Sequence, residues 1–173
     1  NGCAPSHGFK VGIGTLAVTA LYECLLEQPL DQLDVERCCA AWRDNMNWDL
    51  RLREFFNDPE LLRVAIKESR AKTCAPEALR LQLQRLRSRW PQLRESLRKQ
   101  LLPRAELERR LKTVGAPVSP EQIGITRLNL RQSFWQALFI RRRFTVLDLA
   151  LRAGLLDNCL GQLFGARGVW PVK

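Results

Sequence analysis

Gly8-Phe9-Lys10-Val11-Gly12-Ile13-Gly14-Thr15-Leu16-Ala17-Val18-Thr19-Ala20-Leu21-Tyr22-Glu23-Cys24-Leu25-Leu26-Glu27 is apolar on nearly every side of a helical wheel. A helix that lacks a polar face is buried at the centre of a helical protein, so this stretch predicts the core helix of an all-α domain. Gly8, Gly12 and Gly14 each cost helix stability. Their presence in the first turns implies that another helix or a ligand packs closely there. Pro29 ends the helix.

The rest of the chain carries helix signals throughout. Asp34 can cap a short helix running through Trp42, and a second runs from about Trp48 to Phe56. Asp58-Pro59-Glu60 combines a capping residue, a proline at the first helical position and an acid in the first turn. The following helix presents Leu61, Leu62, Ala65, Ile66 and Ser69 on one side. Pro76-Glu77 opens another, with Leu79, Leu83, Leu86 and Trp90 at helical spacing. Pro91 is expected to break or kink it, after which Leu93, Leu97 and Leu101 continue the pattern. Pro103 starts a helix that ends at Gly115. Ser119-Pro120-Glu121 marks a short turn, Arg127 to Ile140 is helical, Thr145 caps Val146 to Ala153, and Gly154 separates that helix from Leu155 to Phe164. Period-two alternation is nowhere sustained. The expectation is about ten helices in one domain, residues 1–164, followed by a frayed tail at 165–173.

Of the 173 residues, 46% are hydrophobic, which excludes a disordered chain. The longest apolar runs fall short of the roughly 20 residues that span a bilayer, so a cytoplasmic protein without a membrane partner is expected. The formal net charge of +10 concentrates between Glu77 and Lys112, where eleven Lys and Arg face four Glu. Such a block reads either as a surface for an anionic partner or as a solvated helix face. Cys3, Cys24, Cys38, Cys39, Cys74 and Cys159 form no C-x-x-C pair, which argues against a zinc site within the chain and for reduced, buried thiols.

The only histidine is His7. One imidazole cannot complete a metal site, so its partners would lie outside these residues. The chain opens on Asn1 without Met or a signal pattern, and reads as the C-terminal part of a longer protein.

Ser6-His7-Gly8-x-Lys10-Val11-x-Ile13-Gly14-Thr15-Leu16 resembles the H-G-x-K-V-x-x-G-T-L segment of the glycerol dehydrogenase group of metal-dependent alcohol dehydrogenases. Asp58-Pro59-Glu60-Leu61, Glu68-Ser69-Arg70-Ala71-Lys72, Gly124-Ile125 and Ile140-Arg141-x-Arg143-Phe144-Thr145-Val146-Leu147-Asp148-Leu149 are similar to the C-terminal helical domain of bacterial sn-glycerol-1-phosphate dehydrogenases. The resemblance covers nearly the whole chain. It implies the dehydroquinate-synthase-like, iron-containing alcohol dehydrogenase fold. It also implies a divalent metal (zinc, nickel or iron) held by one Asp and two His, with His7 as the last of those histidines. NAD or NADP would sit on a Rossmann-like N-terminal domain not included here.

The implied reaction interconverts dihydroxyacetone phosphate and sn-glycerol 1-phosphate, a step of phospholipid metabolism. The implied partners are the phosphorylated polyol and the enzyme's own nucleotide domain; a homo-oligomer is compatible. No catalytic residue beyond the metal ligand is identified. Lys10 is a candidate for phosphate or nucleotide contact. The isolated chain is expected to be inactive. Two alternatives stand beside this reading: a relative acting on unphosphorylated glycerol or another small alcohol, and a helix-turn-helix DNA-binding module at residues 145–164. Against the latter, its second helix offers only Asp157, Asn158 and Gln162 to base edges, so nucleic acid is not the expected partner.

Overall fold

The computed structural model describes residues 5–44 and 48–172; Cys3 and Lys173 lie outside them. These residues form helices joined by turns and loops, with no strand among them. The α-helices are α1 (His7–Leu26), α2 (Val35–Asp44), α3 (Trp48–Phe55), α4 (Pro59–Lys72), α5 (Pro76–Gln100), α6 (Arg104–Thr113), α7 (Arg127–Phe139), α8 (Val146–Arg152) and α9 (Leu156–Phe164). Short 3-10 turns occur at Leu30–Gln32 and Pro120–Ile123. The all-α expectation holds.

Capping side chains start these helices where the sequence places them. Ser6 Oγ accepts from Phe9 N at 3.3 Å, Asp34 Oδ1 from Arg37 N at 3.0 Å, and Asp58 Oδ1 from Leu61 N at 2.9 Å. Thr145 and Asp148 form a reciprocal capping box on α8. Each satisfies backbone N–H groups that have no partner inside the helix.

The residues divide into two compact units. The first takes in Asn1–Gln28, Gln92–Arg131 and Asn158–Lys173. It contains α1, which packs on α6 and on the Pro120–Ile123 turn. Ile13, Leu16, Ala17, Ala20, Leu21, Leu25 and Leu26 of α1 are buried. A fully buried leucine contributes about 2 kcal/mol by leaving water, so this face anchors the unit. The helix is nevertheless not buried all round: Phe9 and Val11 are 41% and 51% exposed. At 20 residues, α1 is long and apolar enough by length and composition to cross a membrane, although half of it is buried inside the protein as in a core helix. Counting uninterrupted apolar runs missed this, because single charges at Lys10 and Glu23 divide the run without making the helix polar.

The segment after α9 also departs from expectation. Trp170 is buried, its ring 5.9 Å from that of Phe164. Trp170 N donates to Leu163 O at 3.0 Å, Val172 N to Phe164 O at 2.9 Å, and Arg127 to Pro171 O at 3.1 Å. The turn needs Gly165 and Gly168, where a Cβ would collide with carbonyl oxygens of Gly161 and of Gln162 and Leu163 respectively. A frayed tail is thus replaced by a packed cap, because one tryptophan supplies enough apolar surface to hold it.

The second unit takes in Pro29–Pro91 and Gln132–Asp157. Its core gathers Trp42, Trp48, Phe139 and Trp135, with Trp48 5.9 Å from Trp42 and 5.4 Å from Phe139 between ring centroids. Of the break or kink expected at Pro91, the break does not occur: α5 continues to Gln100. An interior proline removes one hydrogen bond and costs about 3 kcal/mol. Trp90, 2% exposed, together with buried Leu79 and Leu83 offsets that cost, and the proline ring faces solvent. The boundary between the two units falls at Pro91–Gln92.

Candidate functional site

The N-terminal end of α1 carries the residues singled out from the sequence. His7 is the first helical residue and is exposed, as is Lys10 one turn on. No acid lies in the first turn. Lys10 has no carboxylate partner among the described residues, so it is not the salt-bridged surface lysine common on helices. The free N–H groups here leave partial positive charge, which Lys10 reinforces. Anions are favoured at such an end.

The three glycines of this end are less crowded than their helix cost suggests. A Cβ on Gly12 would meet Leu111 of α6 at 3.7 Å, an ordinary contact, and one on Gly14 would meet nothing within 4 Å. Gly8 would touch only Ser6 Oγ, at 4.0 Å. Close packing by another helix therefore requires none of the three glycines, and only Gly12 has a neighbouring helix within contact of an added Cβ. The surface bearing Gly8 and Gly14 lies open.

Among the described residues no three His, Cys, Asp or Glu converge in a way that could hold a metal ion. An imidazole suits zinc, nickel or iron, but a single donor does not make a site. The residues present therefore fit one ligand of a metal and not its full set.

Further along α1 the first unit has a cleft of 330 Å³ lined by Tyr22, Leu26, Leu101 and Pro103 among others. Its charged rim is already engaged. Glu23 accepts from Arg104 N at 2.7 Å and so caps α6, and Glu27 pairs with Arg98 at 2.6 Å. Much of the basic block behaves in the same way. Arg80 pairs with Glu36 and Glu77, Lys99 with Glu95, Arg109 and Arg110 with Glu106, and Arg104 and Lys112 with Glu108. Hydrogen bonds from Arg109 and Arg110 lower the Glu106 carboxyl to about 2. Arg85, Arg87 and Arg89 have no acid partner among the described residues, so the block is a solvated helix face that is salt-bridged only in part.

In the second unit, two of the segments that carry the family resemblance meet. Glu68 and Lys72 lie on α4; Arg142 and Asp148 lie after α7 and on α8. Arg142 donates to Glu68 at 2.6 Å, and its backbone N donates to the same carboxylate at 3.1 Å. The Arg142 hydrogen bond, chiefly, holds the Glu68 carboxyl down to about 2. Lys72 Nζ lies 2.7 Å from Asp148 Oδ1 and also donates to the Leu138 carbonyl. Asp148 Oδ2 accepts from Thr145 N at 2.8 Å and from its hydroxyl at 3.0 Å. Arg152 donates to Lys72 O at 2.8 Å and to Gln82, and lies over the rings of Phe144 and Trp42 at 5.0 and 5.6 Å. Glu68 is matched by Arg142 and Asp148 by Lys72, while Arg152 is held by neutral acceptors and ring faces, so these residues build structure. The sequence reading missed the roles of Arg152, Gln82 and Trp42; a charged residue within the apolar Val146–Ala153 helix was the available signal.

Beside this core, Glu68, Ile140 and Arg141, Arg142 and Arg143 line an open hollow of 400 Å³. Arg141 and Arg143 are exposed and have no acid partner among the described residues.

The helix-turn-helix alternative finds little support in its side chains. Gly154, at φ +68°, does turn the chain between α8 and α9. However, Asp157 lies 3.6 Å from Arg51, and Gln162 accepts from the Cys24 thiol at 3.1 Å. Two of the three polar groups available for bases are thus engaged within the protein.

Comparison with protein-family models, curated proteins and solved structures finds no match.

Proposed function

We propose that this chain is the helical, metal-binding part of an NAD(P)-dependent dehydrogenase acting on a small phosphorylated polyol, with His7 as one metal ligand. The observation that carries the reading is the exposed start of α1, where His7 and Lys10 stand without carboxylate partners among the described residues, beside an open glycine surface. Groups left exposed at a rigid helix start are available to a ligand site completed by another domain.

The bound metal would polarise the substrate oxygen while hydride passes to or from nicotinamide. His7 would hold its position at a rigid helix end, and Lys10 with the helix N-terminus would attract the substrate phosphate. The other metal ligands, one Asp and one His, would come from elsewhere on the same polypeptide, and the nucleotide would sit on its Rossmann-like domain. Such an enzyme would work in the cytoplasm.

The test is His7→Ala in the intact polypeptide, with bound metal measured by elemental analysis and turnover measured on dihydroxyacetone phosphate and on glycerol. Metal content is expected to fall by at least about tenfold, in line with loss of one ligand of three. Unchanged metal content and turnover overturn the proposal. Turnover on glycerol alone would keep the metal role and replace the substrate.

A further inference from the structure

Between α7 and α8 of the second unit, the chain carries Arg141, Arg142 and Arg143 in succession, and the reading above does not use them. The segment is pinned along its length. Ile140 N donates to Gln136 O at 3.0 Å, and Thr145 N donates to Asp148 at 2.8 Å. Between them, Arg142 donates to Glu68 from its backbone N at 3.1 Å, from Nε at 2.9 Å and from Nη2 at 2.6 Å. The Glu68 side chain is only 17% exposed, and this one residue engages both of its carboxylate oxygens. Its negative charge is thus committed to Arg142. Arg141 and Arg143, on either side of the pinned position, are exposed and have no acid partner among the described residues. Both line the same 400 Å³ hollow, together with Ile140 and Glu68. Lys67, next to Glu68 on α4, is exposed and adds to the positive field there.

We infer that this hollow binds the phosphoryl group of a soluble phosphate monoester, with Arg141 and Arg143 as its ligands and Arg142 as the fixed brace between them. Guanidinium groups present planar forks of N–H donors that match phosphate oxygens. The two unpartnered cations repel each other across the hollow, and a dianion between them removes that repulsion. The brace also lowers the cost of binding, because the backbone that carries both ligands is already held in place.

The shape of the site selects the class of ligand. Its volume suits a small molecule. The positive charge is confined to one short loop and one neighbouring lysine, which fits a single phosphoryl group rather than the extended backbone of a nucleic acid. Half-buried Ile140 offers an apolar contact to the carbon part of an ester. The site does not depend on His7, so either assignment can fail while the other stands.

The test titrates the full, isotopically labelled chain with inorganic phosphate and then with phenyl phosphate, at constant ionic strength with chloride as the balancing anion. The readout is the nitrogen–proton spectrum, including the arginine Nε signals. Saturable shifts are expected at the amides of 141–145 and at Nε of Arg141 and Arg143, with phenyl phosphate binding at least as tightly as phosphate. Arg141→Gln with Arg143→Gln should weaken binding at least about tenfold. Arg85→Gln with Arg89→Gln removes the same charge from the exposed face of α5 and should change affinity less than about twofold. All four positions are exposed, so these variants should fold. Equal weakening by both pairs would mean that net charge alone attracts the anion, and overturns the proposal. So does the absence of saturation up to about 10 mM phosphate, or a response confined to the amides of Ser6 to Lys10. A single-stranded oligonucleotide that binds more than about tenfold tighter than phenyl phosphate would make the loop part of a nucleic-acid surface, and also overturns it.

Discussion

At the start of α1, His7 and Lys10 stand in solvent with no carboxylate partner among the described residues. Around Asp148, by contrast, Lys72, Thr145, Arg152 and Gln82 each meet a partner, and the ion pair is 12% exposed on the lysine and 4% on the aspartate. Both regions were singled out from the sequence. Their side chains are nevertheless used differently. A charge matched inside the protein has its interactions spent on holding backbone segments together. A charge left outside, on a rigid helix end, is free to act on something else. A motif therefore points to chemistry only when the fold leaves its polar groups unclaimed.

The contrast breaks most sharply at Asp148. Asp148→Ala removes the partner of a nearly buried lysine and half of the capping box on α8. Loss of one partner from a buried pair costs about 3–5 kcal/mol, so denaturant unfolding should show a fall of that size. A loss below about 1 kcal/mol would mean that water already screens the pair.

Gly168→Ala should come next. The added methyl collides with backbone carbonyls at the end of α9, and the backbone cannot yield as a side chain can. About 2–3 kcal/mol is expected, read from the thermal midpoint. His7→Ala should do the reverse of Asp148→Ala: stability of the chain unchanged within about 0.5 kcal/mol, while metal content of the intact polypeptide falls. A large loss of stability would make His7 a structural residue.

The smallest effect is set by pH. The Glu68 carboxyl falls from 4.5 to about 2 in the folded protein, so the unfolded chain binds its proton first as the solution is acidified. Its contribution is present above about pH 4.5 and disappears as pH falls toward 2. Glu68→Gln should lower stability at neutral pH and flatten the acid limb of the profile over that window, where the contribution it removes would otherwise be lost. A variant with the same acid limb as the unsubstituted protein would show that Arg142 does not hold this carboxylate in solution.

The helix starts were legible because they are local. Asp58-Pro59-Glu60 and Thr145 with Asp148 state their roles within four positions of sequence. The Lys72–Asp148 pair was not legible, because its members lie on different helices and no local pattern connects them. Pro91 misled for a related reason. The local rule gives the cost of an interior proline, but the burial of Trp90 that offsets it depends on the assembled unit. Trp170 was hidden by its glycines, which signal a loop equally well when the loop is loose and when it is packed. At the candidate site, His7 and Lys10 were legible by type and position. That Lys10 has no acid partner is a property of the folded surface.

The cap beyond α9 has one further consequence. The Trp170 and Val172 amides donate to carbonyls of the helix they follow, so deuterium should enter them slowly. Their exchange would report on how tightly the segment after α9 closes over that helix, and so serve as a reporter for the core beneath it.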